Sequence, residues 1–417
     1  MSAPALADTQ PDADQEDEAT IRQRTTPPPT RFTAFGGITL PTPFLDEQEA
    51  RELQEQTNYI FPAFDDALGS WRDLKSRMEN TRAFRIGGHY QVVRQDANRS
   101  IKEPDYASGG LLRVLGTWTP SGPNQPRAPR LSFTVDHRHG FSSVPPSGMS
   151  GQIGYAGSSS VIMGDTKWDL VSLFWNQPFK SCDGLCGFAA GRLDPNEFFY
   201  VYSFSTPWAG FMNNEVVNVT ALPQPQSSWG AVTGNYFTDT VYAIAGVSDA
   251  NGTADDDLEW FKDGSEFFTA VEIGWVPDRK TRLDKKASLT VWHVDERETR
   301  GIDDAWGFNL SASWLAGDWN PFMRLGWSQG EAPTYNKNVL AGFRKKMRNG
   351  ADWFGFATSW GDSAKGLGEQ ISTEIFYSYY LARHLALTAD FQYIKNPLNN
   401  PVHDSVSLVA FRLRMTF

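Results

Sequence analysis

The chain of 417 residues lacks several features that mark common protein classes. It has no run of 18 apolar residues, so no transmembrane helix is predicted. Its net charge is −11 and no basic run stands out, so no nucleic-acid partner is expected. Histidines number only six, and nucleophile-elbow, P-loop, dinucleotide-binding and HExxH motifs are absent. We therefore predict no enzyme and no cofactor.

Cysteine is also scarce, because the chain holds only Cys182 and Cys186, both in a turn-rich stretch. A zinc site would need two further soft ligands nearby, and none is present, so no metal is predicted. A short disulfide would fit an oxidising compartment, and two free thiols are the alternative.

The segment His137-Arg138-His139 is the other place where a metal could be considered. Two histidines at alternate positions share one face of a strand. Because no third ligand is evident, we interpret the segment as the loop at a strand end.

What the sequence does contain, from residue 83 onward, is alternation of apolar and polar residues in segments of about ten. In residues 405–417, for example, Val409, Phe411 and Leu413 alternate with Ala410 and Arg412. Sixteen or seventeen such segments can be counted, the weakest near residues 149–158, 187–205 and 339–347. This length and period predict an all-β fold, a transmembrane antiparallel β-barrel of about 16 strands over residues 81–417.

The chemistry of the two faces supports a barrel in lipid. The apolar face ends in aromatic residues such as Trp319, Trp327, Tyr377 and Tyr379, which is typical of the two interfacial girdles of outer-membrane barrels. The opposite face is polar along its whole length and would line a wet lumen. In a soluble sandwich the same face would simply meet water, so that alternative stays open.

Two segments resemble a known family. Residues 373–377, 385–388 and 390–397, followed by the closing strand, are similar to the C-terminus of the carbohydrate-selective porin (OprB) family, and residues 191–199 are similar to its central motif. The resemblance implies a sixteen-stranded porin of the Gram-negative outer membrane, surrounded by lipid, with sugars as permeants and Arg and acidic residues at a constriction. The terminal Phe417 would be the signal read by the barrel-assembly machinery, and a homo-oligomer is possible.

The N-terminal part differs in composition from the barrel. Residues 1–30 are acidic and Pro-containing, which predicts a flexible leader. Residues 31–80 predict a helical lead-in, with short helices over 46–56 and 65–78, and we expect it at the periplasmic mouth, although it could plug the lumen. The segment Ala5-Leu6-Ala7 is similar to a cleavage site, which leaves open whether the chain starts within a signal peptide.

The polar face supplies the candidates for the channel lining. Sugars need donors and acceptors for their hydroxyls, and mixed arginine and carboxylate groups provide both without a strong field of one sign. These side chains could instead pair with one another and brace the wall, and Arg192 and Asp194 could be a salt bridge in a turn. The candidate lining residues are Arg85, His89, Gln91, Arg113, Arg130, Asp136, Arg192, Asp194, Glu272, Arg324, Glu374, Asp390, Gln392 and Arg412.

The function predicted is passive, substrate-selective diffusion of monosaccharides or short oligosaccharides. The alternatives are a general or anion-preferring outer-membrane pore, a barrel enzyme such as a lipase, and a soluble β-rich sugar-binding protein.

Overall fold

The computed structural model describes residues 44, 45, 48, 59–123, 125, 128–160, 164, 167–182, 185–223, 225–253 and 264–417. The predicted acidic leader and the predicted helix over residues 46–56, Gln48 apart, lie outside the described residues. No described helix combines the length and the apolar character needed to cross a bilayer.

Sixteen antiparallel strands form one closed barrel, in which each strand pairs with its neighbours in sequence and the first pairs with the last. The pairing of His89 with Thr416 through Ala97 with Leu408 closes the ring. The predicted all-β barrel is therefore confirmed. The strands are β1 (Phe84–Ala97), β2 (Tyr106–Trp118), β3 (Arg130–Gly140), β4 (Lys167–Pro178), β5 (Cys186–Leu193), β6 (Ser228–Tyr236), β7 (Val241–Asp249), β8 (Phe267–Trp275), β9 (Lys285–Val294), β10 (Ala305–Trp314), β11 (Trp319–Gln329), β12 (Tyr335–Met347), β13 (Asp352–Ser363), β14 (Glu369–Ala382), β15 (Leu385–Lys395) and β16 (Ser405–Thr416).

Alternation along each strand separates two faces of the wall. In β8 every second residue is buried, and the residues between, such as Val271 and Ile273, are exposed on the outside of the barrel. In β15 the buried set includes Asp390 and Gln392, whereas Leu387 and Phe391 point outward. Apolar side chains on the outside and polar ones inside are the arrangement of a membrane barrel with a polar interior.

Aromatic side chains form a belt near each end of the outer wall. Trp118, Trp275, Trp314 and Trp319 are exposed at the end that carries the chain terminus, which we call the terminal end. Tyr106, Trp168, Phe267, Trp306 and Tyr393 are exposed at the opposite end, which we call the loop end.

The helices that can be bounded within the described ranges are short. They are α1 (Pro62–Ala67), α2 (Gly69–Arg82), α3 (Met149–Ile153) and α4 (Asn214–Val217), with 3-10 turns at Pro146–Gly148, Lys180–Cys182, Pro195–Glu197, Ser203–Ser205, Arg279–Thr281, Glu298–Arg300 and Arg348–Gly350.

Two expectations about local structure need correction. The weak strand near residues 149–158 is instead α3, because Pro145 and Pro146 precede it and Gly154, at φ +71°, ends it in the left-handed conformation that helix ends favour. The helix expected over 65–78 is divided into α1 and α2, and α2 continues to Arg82.

The lead-in helices dock at the terminal end. The Asp65 carboxylate accepts hydrogen bonds from the backbone N–H groups of Arg383 and His384, at 3.0 and 3.2 Å, in the turn between β14 and β15. Phe417 exchanges backbone hydrogen bonds with Gly88, and its ring lies 6.2 Å from the Trp71 ring of α2.

Two residues before α1 reach farther into the barrel. Phe44 and Leu45 are 4 % exposed and pack against Leu115, an inward-facing residue of β2. The ring of Phe44 lies 5.9 Å from that of His89 on β1. These described residues of the lead-in therefore narrow the interior at the terminal end.

The connection between β5 and β6, residues 194–227, is a long segment without strands, and we call it the lumen loop. It enters the barrel, because its Tyr202 hydroxyl lies 2.9 Å from Ser288 Oγ of β9 and donates to the Ser311 carbonyl of β10 at 2.8 Å. Its position decides which wall residues still face free space.

Candidate functional site

The lumen loop is held by charged residues of the wall that bind its backbone. Arg324 of β11 donates to the carbonyl oxygens of Val216 and Asn218, at 3.4 and 2.6 Å, and to Ser205 Oγ at 3.1 Å. Buried backbone groups need partners. Arg324, which was predicted to line the channel, therefore binds the lumen loop.

Two further predicted residues bind the middle of the lumen loop. The Glu374 carboxylate of β14 accepts hydrogen bonds from the N–H groups of Met212 and Asn213, at 2.6 and 3.2 Å. Arg412 of β16 donates to the carbonyl oxygens of Pro207 and Gly210, both at 2.7 Å. The wall thus supplies acceptors for loop donors and donors for loop acceptors.

Gln392 and Asp390 extend this contact on β15. Gln392 Nε2 donates to Asp390 Oδ1 at 3.1 Å and to the Ser159 carbonyl at 3.0 Å, while its Oε1 accepts from Asn213 Nδ2 at 3.1 Å. Both side chains are buried, so the β3–β4 connection and the lumen loop meet over them.

Glu272 of β8 is completely buried and collects four hydrogen bonds. Tyr242 and Thr290 hydroxyls donate to it at 2.6 and 3.0 Å, Lys286 Nζ lies 3.1 Å away, and the Tyr200 backbone N–H of the lumen loop also donates to it. The lysine compensates the buried carboxylate, which would otherwise be costly.

Apolar contacts complete the attachment on the same side. The ring of Phe204 in the loop stacks on that of Phe322 with centroids 3.9 Å apart, and Phe211 meets Phe376 edge to face at 4.7 Å. All four residues belong to one buried cluster. The loop is therefore packed against this side of the wall.

On the other side a cavity of about 430 Å³ separates the loop from β2, β3 and β4. This volume lies within the roughly 300–1,000 Å³ of small-molecule sites. The lumen loop supplies most of its lining. The wall supplies Arg113, Arg138, Asp169 and Val171.

The charged residues of this wall pair with each other. Arg113 holds Asp136 through two hydrogen bonds of 2.7 and 2.9 Å. Arg138 reaches the same carboxylate at 2.8 Å and Asp169 at 3.2 Å. This ladder of paired charges crosses β2, β3 and β4 of the wall.

Trp208 of the lumen loop contributes to the cavity lining beside Arg113. The Arg113 guanidinium lies 4.1 Å from the centre of its ring, and the His89 ring lies 5.1 Å from it. Trp208 is only 3 % exposed, so its faces are already covered by protein groups.

The charge of the cavity is slightly negative. Its lining contains the carboxyl groups of Asp169, Asp194 and Glu197 and the guanidinium groups of Arg113 and Arg138. Burial raises the pKa of Asp194 on the loop, although the Asn196 hydrogen bonds oppose that shift. This balance does not favour anions.

The remaining predicted lining residues lie elsewhere. Arg85 is buried at the terminal end, 3.4 Å from Glu79 of α2, and Arg130 lies beside the same small hollow. Gln91 is buried on the inward face of β1. Arg192 donates to the carbonyl oxygens of Leu170 and Thr253, at 2.6 and 2.9 Å, and does not line the cavity.

Of the fourteen predicted residues, then, the cavity brings together Arg113 and Asp194, with Asp136 directly behind Arg113. The two cysteines form a disulfide at the terminal end of β4 and β5. It lies at the opposite end of the wall from Arg138 and Asp169.

Sequence reasoning missed Arg138, Glu197 and Trp208. Arg138 lies within β3, not in a loop, with its side chain pointing inward between two histidines that face out. The alternation along β3 predicts this orientation, since Arg138 lies two residues after the inward-facing Asp136 and therefore points to the same side. Nothing local marked Trp208 or Glu197.

Comparison with known proteins agrees with this architecture. The structure of Pseudomonas putida OprB at high pH superposes with a TM-score of 0.68 at 12 % identity, over 84 % of this chain and 97 % of that one. The low-pH structure of the same protein gives a TM-score of 0.51 at 11 % identity over the same shares. At these identities the likeness concerns the fold alone.

No curated protein matches the chain. Residues 295–417 match the family described as carbohydrate-selective porin, OprB family, and this segment runs from the end of β9 to Phe417. The match includes the C-terminal segments on which the resemblance was based. The predicted resemblance to the carbohydrate-selective porin (OprB) family is therefore confirmed over residues 295–417.

Proposed function

We propose that this protein is a porin of the bacterial outer membrane that lets small sugars diffuse through the barrel past the lumen loop. One observation carries the proposal: a loop fixed inside a closed barrel leaves a cavity lined by both donors and acceptors. The family match over residues 295–417 supports sugars as the permeants.

The hydrogen-bonding groups of the cavity favour weak binding and ready release of a sugar over tight binding. Arg113 and Arg138 already share Asp136, so a sugar would exchange single hydrogen bonds with their remaining N–H groups. Sites that bind weakly and release easily are what conduction requires. The excess of carboxyl groups argues against the anion-preferring alternative.

The proposal includes the surroundings of the barrel. The apolar outer wall and its aromatic belts support lipid around it. Phe417 directly follows the strand that closes the barrel on β1, and in this proposal the assembly machinery reads this terminal aromatic residue as an insertion signal. Association of several copies stays a prediction.

Planar-bilayer recording tests the function. Purified protein should conduct salt, and glucose or maltose should reduce the current more than polyethylene glycol of equal size. No conductance would contradict a channel. Equal effects of sugar and polyethylene glycol would indicate a general pore.

A further inference from the structure

Two histidines lie side by side on the outer wall, near the loop end of β3. His137 and His139 alternate with the inward-facing Asp136 and Arg138, so both imidazoles point away from the interior. The sequence led us to interpret this segment as a loop. Regular pairing with β2 instead continues through both histidines, which fixes the positions of their side chains.

The two imidazoles meet through their Nδ1 atoms, which lie 3.3 Å apart. At this distance one ring presents a lone pair to the N–H of the other. Two nitrogens that bind one zinc ion tetrahedrally, at about 2.0–2.1 Å each, lie about 3.3–3.4 Å apart. The pair is therefore already spaced as two ligands of a single metal ion.

Tyr90 of β1 orients one of the two rings. Its hydroxyl lies 3.0 Å from Nε2 of His139, and the two rings stack with centroids 5.9 Å apart. Tyr90 reaches across β2 because Gly110 has no side chain there, and a Cβ at that position would overlap both groups. A hydrogen bond to the other ring nitrogen is what orients metal-binding histidines. When His139 donates its Nε2–H to the Tyr90 oxygen, its Nδ1 lone pair faces His137.

The surroundings leave the pair open to solution. The ring of Trp168 lies 4.7 Å from that of His137, and the ring of Phe141 lies 4.9 Å from that of His139. These two aromatic residues are 64 % and 55 % exposed. They therefore flank the histidines without covering them.

The donor set narrows the class of metal. Imidazole nitrogen suits zinc, copper and nickel, whereas calcium and magnesium prefer oxygen ligands. The described part of the chain contains no group of three or more His, Cys, Asp or Glu residues placed to hold a metal. Water would therefore complete the coordination.

We propose that His137 and His139 form a surface site for a divalent transition-metal ion such as Zn²⁺, and that Tyr90 is a positioning residue for His139. The ion takes the place of the proton between the two Nδ1 atoms, and His137 then carries its proton on Nε2. Because the site lies on the outer wall, it does not depend on the proposed passage of sugars through the interior.

The experiment is calorimetric titration of the purified full chain in detergent with Zn²⁺. His137→Phe and His139→Phe each remove one ligand and keep an aromatic ring. Tyr90→Phe keeps both ligands and should bind Zn²⁺ about 10-fold less tightly, the lower end of the usual loss for such a partner. The two histidine variants should bind more weakly still. Mg²⁺ should not compete, whereas acid should weaken binding because protons compete for the same nitrogens.

The matched control is His293→Phe. His293 is another exposed histidine of the outer wall, with Asp295 at 3.4 Å, and this variant should bind Zn²⁺ as wild type does. Heat-modifiability on gels checks that every variant is folded. A wild type that binds no Zn²⁺, or folded histidine variants that bind it equally well, would overturn the site. Unchanged binding in Tyr90→Phe would overturn the role of Tyr90. Sugar block should be the same in all these variants, so the two proposals can fail separately.

Discussion

Two arcs of the same wall use charged residues in opposite ways. Strands β2–β4, the cavity arc, pair Arg113, Asp136 and Arg138 with one another and leave space in front of them. Strands β8–β16, the anchor arc, direct Arg324 and Glu374 onto the lumen loop. Buried charge must be compensated in both cases. Where the wall residues compensate one another a cavity remains in front of them, whereas where they bind the loop the loop lies against the wall.

The largest effect is expected from Arg324→Ala on the anchor arc. It leaves the carbonyls of Val216 and Asn218 without this donor. Unpaired buried acceptors cost about 1–3 kcal/mol each, so the loop should detach from β11. Single-channel recording should show higher and noisier conductance than in wild type. Unchanged conductance would show that the loop does not depend on the anchor arc.

A substitution on the outer wall tests the assignment of inward-facing and lipid-facing residues on β16. Phe411, next to Arg412, is 52 % exposed on the outer wall. Phe411→Arg should destabilise the inserted barrel by about 2–4 kcal/mol, because it places charge in lipid. Heat-modifiability on gels measures it. Val402→Arg, in an exposed turn, is the control, and equal stability of the two variants would contradict the assigned facing.

Arg113→Ala tests the cavity arc. Asp136 keeps Arg138 as a partner, so the barrel should fold, while the cavity becomes more negative. We expect a loss of about 1.5–3 kcal/mol in stability and a shift of the reversal potential toward cation preference in a salt gradient. Arg85→Ala, at the terminal end, should shift the potential less. A folded Arg113→Ala barrel with an unchanged reversal potential would contradict the assignment.

The smallest effect on transport is expected from Cys182→Ser combined with Cys186→Ser. The disulfide closes a short loop at the end of β4 and β5 remote from the cavity. Short loops gain up to about 2 kcal/mol from a cross-link. Unfolding temperature should therefore fall slightly while sugar block stays unchanged. A changed block would connect this turn to the passage.

The strands of the wall and the residues that face inward could be predicted from the sequence. Which inward residues bind the lumen loop and which line the cavity could not. Period-2 alternation is local, so residues 405–417 reveal which side of β16 faces inward without knowledge of any neighbour. Whether an inward Arg412 meets solvent or the Pro207 carbonyl depends on a segment some two hundred positions away. The lumen loop has no period of its own, and its burial comes from contacts that the sequence does not display.

The signal that could have located the loop is an interruption. Between Leu193 and Ser228 the alternation stops, yet aromatic residues such as Tyr202, Phe204 and Phe211 continue. A connection exposed to water would not need them. An aromatic-rich gap in a barrel sequence is therefore a sign of an inserted segment.

The wall holds the lumen loop mainly by its peptide groups. Arg324, Glu374 and Arg412 bind carbonyl oxygens and N–H groups, which every amino acid presents. Side chains of the loop can consequently diversify while the path of its backbone stays the same. Selection could exchange one permeant for another by altering the insert and leave the membrane scaffold as it is.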